Sequence, residues 1–148
     1  MTRQRVKAEP RRRVFERARH YCEYCRSPER YSPDPFAVEH IVPVIKGGTT
    51  TLSNLALSCQ GCNSHKYDKT EGRDPVSKKV APLYHPRRQR WSDHFTWNED
   101  CTLVIGLTPT GRATVAEMDL NREGLINLRD LLILVKRHPP EEIAPEED

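Results

Sequence analysis

The sequence is poor in apolar material. Of its 148 residues 36% are hydrophobic and 30% are charged, so its core must be small or be helped by something other than apolar packing, and a bound metal supplies such help. Long hydrophobic runs are also missing. The longest aliphatic stretch is Leu131 to Val135, far short of the roughly 20 residues that a membrane span needs. The basic N-terminal residues lead into no apolar stretch of the kind a secretion signal carries. The expectation is a cytoplasmic protein without a membrane span, and no internal repeat is present.

An even set of cysteines is lacking as well. There are five, an odd count without a secretion signal, which argues against a disulfide framework. Four of them form two pairs, Cys22-x-x-Cys25 and Cys59-x-x-Cys62, with 33 residues between the pairs. Two such turns present four thiolates from opposite sides, and tetrahedral zinc takes four soft ligands at about 2.3 Å. A closed set of four cysteine ligands leaves no open position for water or substrate, so the zinc is expected to be structural and the chemistry must lie elsewhere. Cys101 stands alone and reads as an incidental thiol.

The net charge is only +3, but it is unevenly spread. Residues 1–13 carry six basic side chains, Arg11, Arg12 and Arg13 among them, against Glu9; residues 64–90 carry eight against three acids. The last eight residues hold five acids. A chain that is basic around its cysteines and acidic at its far end suits one face that meets a polyanion.

Residues 1–10 read as disordered, Arg11 to His20 as a short helix, and residues 26–36, with three prolines, as a loop. Ala37 to Ile45 is rich in Val and Ile and reads as a strand, Lys46-Gly47-Gly48 as a turn, Leu52 to Leu57 as the lead into the second cysteine pair, and Asn63 to Lys69 as a helix. Past a connector, His94 to Trp97 and Thr102 to Leu107 flank a hairpin turn, with Phe95 and Trp97 as core packing on one strand face. Leu125, Leu128, Leu132 and Val135 have the spacing of an amphipathic helix that Pro139-Pro140 ends. That helix is expected to pack on the core, with a homodimer through Leu131 and Ile133 as the weaker alternative.

Between and after the cysteine pairs lie Glu39-His40, Asn54 and Asn63. Together with Cys22-Glu23-Tyr24-Cys25, Val38-Glu39-His40-Ile41-Val42-Pro43, Gly47-Gly48, Asn54-Leu55 and Cys59-Gln60-Gly61-Cys62-Asn63-Ser64-His65-Lys66, they closely resemble the HNH endonuclease family over about residues 14–70. The resemblance implies an α+β fold with a ββα-metal (His-Me finger) core that grips one divalent cation. It implies that His40 is the general base, that Glu39 and Asn63 bind the cation, and that Asn54 positions the loop bearing His40. Glu39 departs from the Asp more usual at its position.

The chemistry agrees with these roles. Hydrolysis of a phosphodiester needs a water deprotonated in line with the leaving oxygen, and imidazole takes a proton at neutral pH. On a strand, Glu39 and His40 point to opposite faces, so one reaches a cation while the other addresses a water. Oxygen ligands suit Mg²⁺ or Mn²⁺. His65, two residues beyond Asn63 on a helix, points roughly 200° away. Lys66 and Lys69 are expected to contact phosphate, with Arg11, Arg12 and Arg13 as further nucleic-acid contacts.

The expected organisation is thus a basic flexible arm (1–13), a nuclease core with zinc knuckles (14–70), a basic connector (71–90), a hairpin-plus-helix extension (91–138) and an acidic disordered tail (139–148). The expected activity is metal-dependent cleavage of DNA. A non-catalytic zinc-finger nucleic-acid-binding module and an RNA-directed nuclease are the alternatives.

Overall fold

The computed structural model describes residues 6–142. Arg3 and Arg5 of the basic arm, and the acidic residues beyond Glu142, lie outside the described residues. Helix α1 spans Ala8–Arg17, three residues earlier than the expected start. Pro10 sits in its first turn, where a missing N–H forfeits no intrahelical bond. The helix buries Val14 and Arg17. Arg17 donates from Nη2 to the carbonyls of Leu52 (2.8 Å) and Leu55 (2.5 Å), which ties α1 to the segment that follows the Gly-rich turn.

Strand β1 (Ala37–His40) pairs antiparallel with β2 (Leu55–Ser58), placing Glu39 opposite Ala56 and His40 opposite Leu55. The strand expected to reach Ile45 stops at His40. Both backbone groups of Val42 are bonded to the Asn54 side chain instead of a neighbouring strand. Pro43 has no N–H to offer a ladder, and Val44–Lys46 coil into a single 3-10 turn. All four residues of β2 are buried, as expected of a strand covered on both faces.

Helix α2 (Gln60–Lys66) follows directly and lies against β1. It starts three residues before the expected Asn63 because Cys59 is its N-cap, with its sulfur accepting the N–H of Cys62 at 3.4 Å. The unit β1–β2–α2 therefore carries Glu39, His40, Asn54 and Asn63 within one short stretch of chain.

Where a connector was expected, β3 (Glu71–Arg73) and β4 (Val80–Pro82) form a hairpin. Its turn is organised by Asp74, which accepts the N–H groups of Val76 (3.0 Å) and Ser77 (3.3 Å) and a two-pronged contact from Arg112 at 2.9 Å each. A short helix α3 (Trp91–His94) leads into the expected second hairpin, β5 (Phe95–Trp97) with β6 (Val104–Gly106).

Helix α4 (Pro109–Glu117), which the apolar pattern did not announce, is started by Thr108. The Thr108 hydroxyl accepts the N–H of Gly111 at 3.0 Å, with Pro109 at the first helical position. Helix α5 (Glu123–Leu134) buries Leu125 and Leu132 of its expected face, but Val135 falls past its end and stays exposed. Arg129 is buried on that face instead, donating to the carbonyls of Leu120 (2.7 Å) and Thr102 (2.9 Å).

The architecture is therefore mixed, with helices around three two-stranded antiparallel sheets among the described residues. Val14, Tyr24, Leu55 and Leu57 share one core with Trp91, Phe95, Met118, Leu120 and Leu125. No helix among the described residues is long and apolar enough to cross a membrane.

Candidate active site and metal centre

The four paired cysteines converge. Cys22, Cys25, Cys59 and Cys62 are all buried, and their sulfurs lie within 4.8 Å of one another. The Cys25 and Cys59 sulfurs are 3.7 Å apart, close to the edge of about 3.8 Å that a tetrahedron with 2.3 Å metal–sulfur bonds requires. The first knuckle is closed by the Arg26 N–H bonding the carbonyl of Cys22 at 3.0 Å, with Arg26 in the left-handed region at φ 65°. The second is closed by the N-cap of α2. Sulfur contacts with Cys22, Cys25 and Cys59, and then burial, hold the Cys62 thiol well above its ordinary pKa. The donor set fits zinc. Cys101 lies apart from this cluster, at a positive φ of 62° in the turn between β5 and β6.

Asn54 holds together the loop of the other constellation. Its amide oxygen accepts the N–H of Val42 (2.9 Å), and its amide nitrogen donates to the carbonyls of Val42 (3.0 Å) and Thr49 (2.8 Å). The Asn54 carbonyl also accepts the N–H of Ile41 at 2.8 Å. The loop running from His40 is thereby clamped to the residue that opens β2. Gly48 lines the same clamp: a Cβ there would lie 1.8 Å from the carbonyl oxygen of Val42, so no other residue fits without moving the loop. His40, at the end of β1, is half-buried, with Nε2 at 2.9 Å from the Thr50 hydroxyl.

Glu39 turns the other way and is buried. Its Oε1 accepts the Tyr24 hydroxyl, and its Oε2 lies 3.4 Å from Lys66 Nζ, which also donates to the Ile41 carbonyl at 2.8 Å. Burial, and then the charge of Glu39, push the Tyr24 phenol well above its ordinary pKa, so it remains a donor.

Lys66 is only 1% exposed, which corrects the expectation that it meets phosphate: its ammonium is spent inside the protein. Lys69 is partly exposed and pairs with Glu117 at 3.2 Å. Asn63 is half-buried on α2, and His65 is exposed on the same helix. Arg11, Arg12 and Arg13 are exposed on α1, with Arg12 paired to Glu9 at 2.7 Å.

A cleft of about 230 Å³ opens beside the His40 loop, and Ile41, Val42, Lys66, His85, Arg88 and Gln89 contribute to its walls. None of its lining side chains is acidic. Burial, and then the nearby Arg88 charge, push the His85 imidazole down to about 4, so it is neutral at physiological pH. Reasoning from sequence missed Tyr24, His85 and Arg88. Tyr24 lies inside the first cysteine pair and is given no role of its own, and the other two sit in a segment taken for a connector.

The family model described as HNH endonuclease matches residues 22–69. That segment runs from the first knuckle to just past α2 and makes up about a third of the chain. No curated protein and no solved structure matches the chain.

Proposed function

We propose that the protein is a metal-dependent phosphodiesterase that hydrolyses DNA, with β1–β2–α2 as a ββα-metal core. The observation that carries this reading is the Asn54 clamp, which fixes the loop after His40 at Val42 and Thr49 with three side-chain hydrogen bonds. Such rigidity serves a residue whose imidazole must be aimed. His40 acts as general base: it takes a proton from the water that attacks phosphorus, the P–O3′ bond breaks, and the departing 3′ oxygen gains a proton from solvent.

The carboxylate of Glu39 and the amide oxygen of Asn63 are hard donors that fit Mg²⁺ or Mn²⁺. An ionised carboxylate has about four acceptor positions, so the contacts of Glu39 with Tyr24 and Lys66 are compatible with a bond to a cation. When bound, such a cation supplies stabilisation of the charge developing on the scissile phosphate and the leaving oxygen. The acid-free cleft with Arg88, together with Arg11–Arg13 on α1, supports a polyanionic substrate.

One observation favours a second reading. Glu39 is buried against Lys66 and Tyr24, which suits a scaffold that binds nucleic acid without cutting it. Incubation with supercoiled plasmid and with single-stranded RNA, each with Mn²⁺, Mg²⁺ or EDTA, separates the readings. Metal-dependent nicking or linearisation of plasmid supports the DNA nuclease, cleavage of RNA alone redirects the substrate, and binding without cleavage of either supports the scaffold.

A further inference from the structure

Arg122 lies in the turn between α4 and α5, about sixty residues from the cysteines it faces. Its Nη2 is 3.5 Å from the Cys59 sulfur and 3.6 Å from the Cys62 sulfur, and its Nη1 is 3.6 Å from the Cys62 sulfur. From behind, Nη1 is anchored by the carbonyls of Met118 (3.3 Å) and Asp119 (3.2 Å). The guanidinium is thus held in place with its fork across the second cysteine pair. Room for it comes from Gly61, which sits between the two cysteines: a Cβ there would lie 2.5 Å from Arg122 Nη2.

One zinc ion and four thiolates leave an excess of negative charge, and all four cysteines are buried. Such charge in a low-dielectric interior is costly unless it is paired or hydrogen-bonded. A guanidinium is always charged and presents several N–H donors in a fixed plane, which suits two sulfurs on one edge of the tetrahedron.

We propose that Arg122 completes the metal centre from outside the cysteine segment. Its N–H groups donate to the Cys59 and Cys62 thiolates, offset the charge of the four-sulfur site and protect that edge from electrophiles. This rests on zinc occupying the four cysteines and not on the nuclease activity. It gives the C-terminal segment a role: the turn joining α4 to α5 is part of the metal site, although it lies beyond the residues that the family model matches. Withdrawing the donors raises electron density on the two sulfurs, which makes them better nucleophiles and the zinc easier to lose.

The test uses the full-length, zinc-loaded protein and its Arg122→Gln, Arg122→Lys and Gly61→Ala variants. Zinc release on treatment with a thiol-specific electrophile is followed with a chromogenic chelator. Arg122→Gln is expected to speed release roughly tenfold, the equivalent of about 1.4 kcal/mol and within the worth of one hydrogen bond to a charged group. Arg122→Lys restores part of the protection. Gly61→Ala keeps the charge but displaces the guanidinium, so it too accelerates release, and it serves as the readout if Arg122→Gln does not fold. In Co²⁺-substituted protein, both Arg122→Gln and Gly61→Ala move the sulfur-to-metal charge-transfer band to lower energy, a shift that loss of packing alone would not produce. Unchanged release rates and an unmoved band in both variants would overturn the proposal. Wild-type protein that contains no zinc by elemental analysis would instead overturn the metal assignment on which it rests.

Discussion

Lys66→Met is the substitution whose cost follows most directly from the internal charge pair. The Lys66 ammonium is 3.4 Å from Glu39 Oε2, and both side chains are at most 5% exposed. At an effective dielectric near 20, that separation is worth about 5 kcal/mol of attraction. Removing two charges from water costs several kcal/mol for each, so the intact pair contributes little net stability. Deleting one member is different. Met in place of Lys66 takes the ammonium from beside the Glu39 carboxylate and from the Ile41 carbonyl, with an expected loss of about 3–5 kcal/mol. Glu39→Gln combined with Lys66→Met removes both charges and should recover most of that loss, so the two substitutions couple strongly. Urea unfolding of the zinc-saturated parent, Lys66→Met, Glu39→Gln and the double variant measures the coupling, with the slope against denaturant unchanged. Because Lys66 is interior, its removal leaves the salt dependence of DNA binding as in the parent. A Lys66→Met protein within about 1 kcal/mol of the parent, or one whose salt slope falls by about one unit, would refute the internal pair.

Asn54→Ala deletes three hydrogen bonds to the backbone of Val42 and Thr49; at about 1 kcal/mol each it should lose on the order of 3 kcal/mol, and a thermal melt that matches wild type would contradict the clamp. Mild EDTA treatment should abolish cleavage while circular dichroism stays native, and added Mn²⁺ alone should restore it. Cys59→Ser should instead lower stability beyond rescue by Mg²⁺, since binding at structural zinc sites is worth on the order of 10–16 kcal/mol; a Cys59→Ser protein as stable as the parent would count against that division. Replacing Arg11 and Arg13 by Gln should weaken duplex binding uniformly across sequences and flatten its salt dependence, and an unchanged slope would make α1 a bystander.

What the sequence made legible was the part written in short, spaced signals. The two cysteine pairs, the turn at Gly47-Gly48 and the hairpin around residues 98–103 all announce themselves locally. Less visible was whatever depends on partners far along the chain. The strand from Ala37 ends at His40, and not at Ile45, because Asn54 captures Val42 from twelve residues away. Lys66 resembles a surface lysine in sequence, and only the fold reveals that Glu39 and Ile41 enclose it. The hairpin β3–β4 was hidden because its turn is built on Asp74 and Arg112, which are 38 residues apart. Helix α4 carries little apolar periodicity and is started by its Thr108 cap and Pro109. Arg122 left no local trace, since the feature that marks it is an absent side chain at Gly61.

The proposed mechanism turns on the imidazole of His40. Single-turnover cleavage of a DNA duplex by His40→Ala in Mn²⁺, with and without added imidazole, measures its contribution with binding held apart from chemistry. The rate should fall by about 10²- to 10⁴-fold while duplex affinity and melting temperature stay near those of the parent, and free imidazole should restore part of the loss in proportion to its neutral form. Cleavage by His40→Ala at the parental rate would contradict the assignment of His40 as the base.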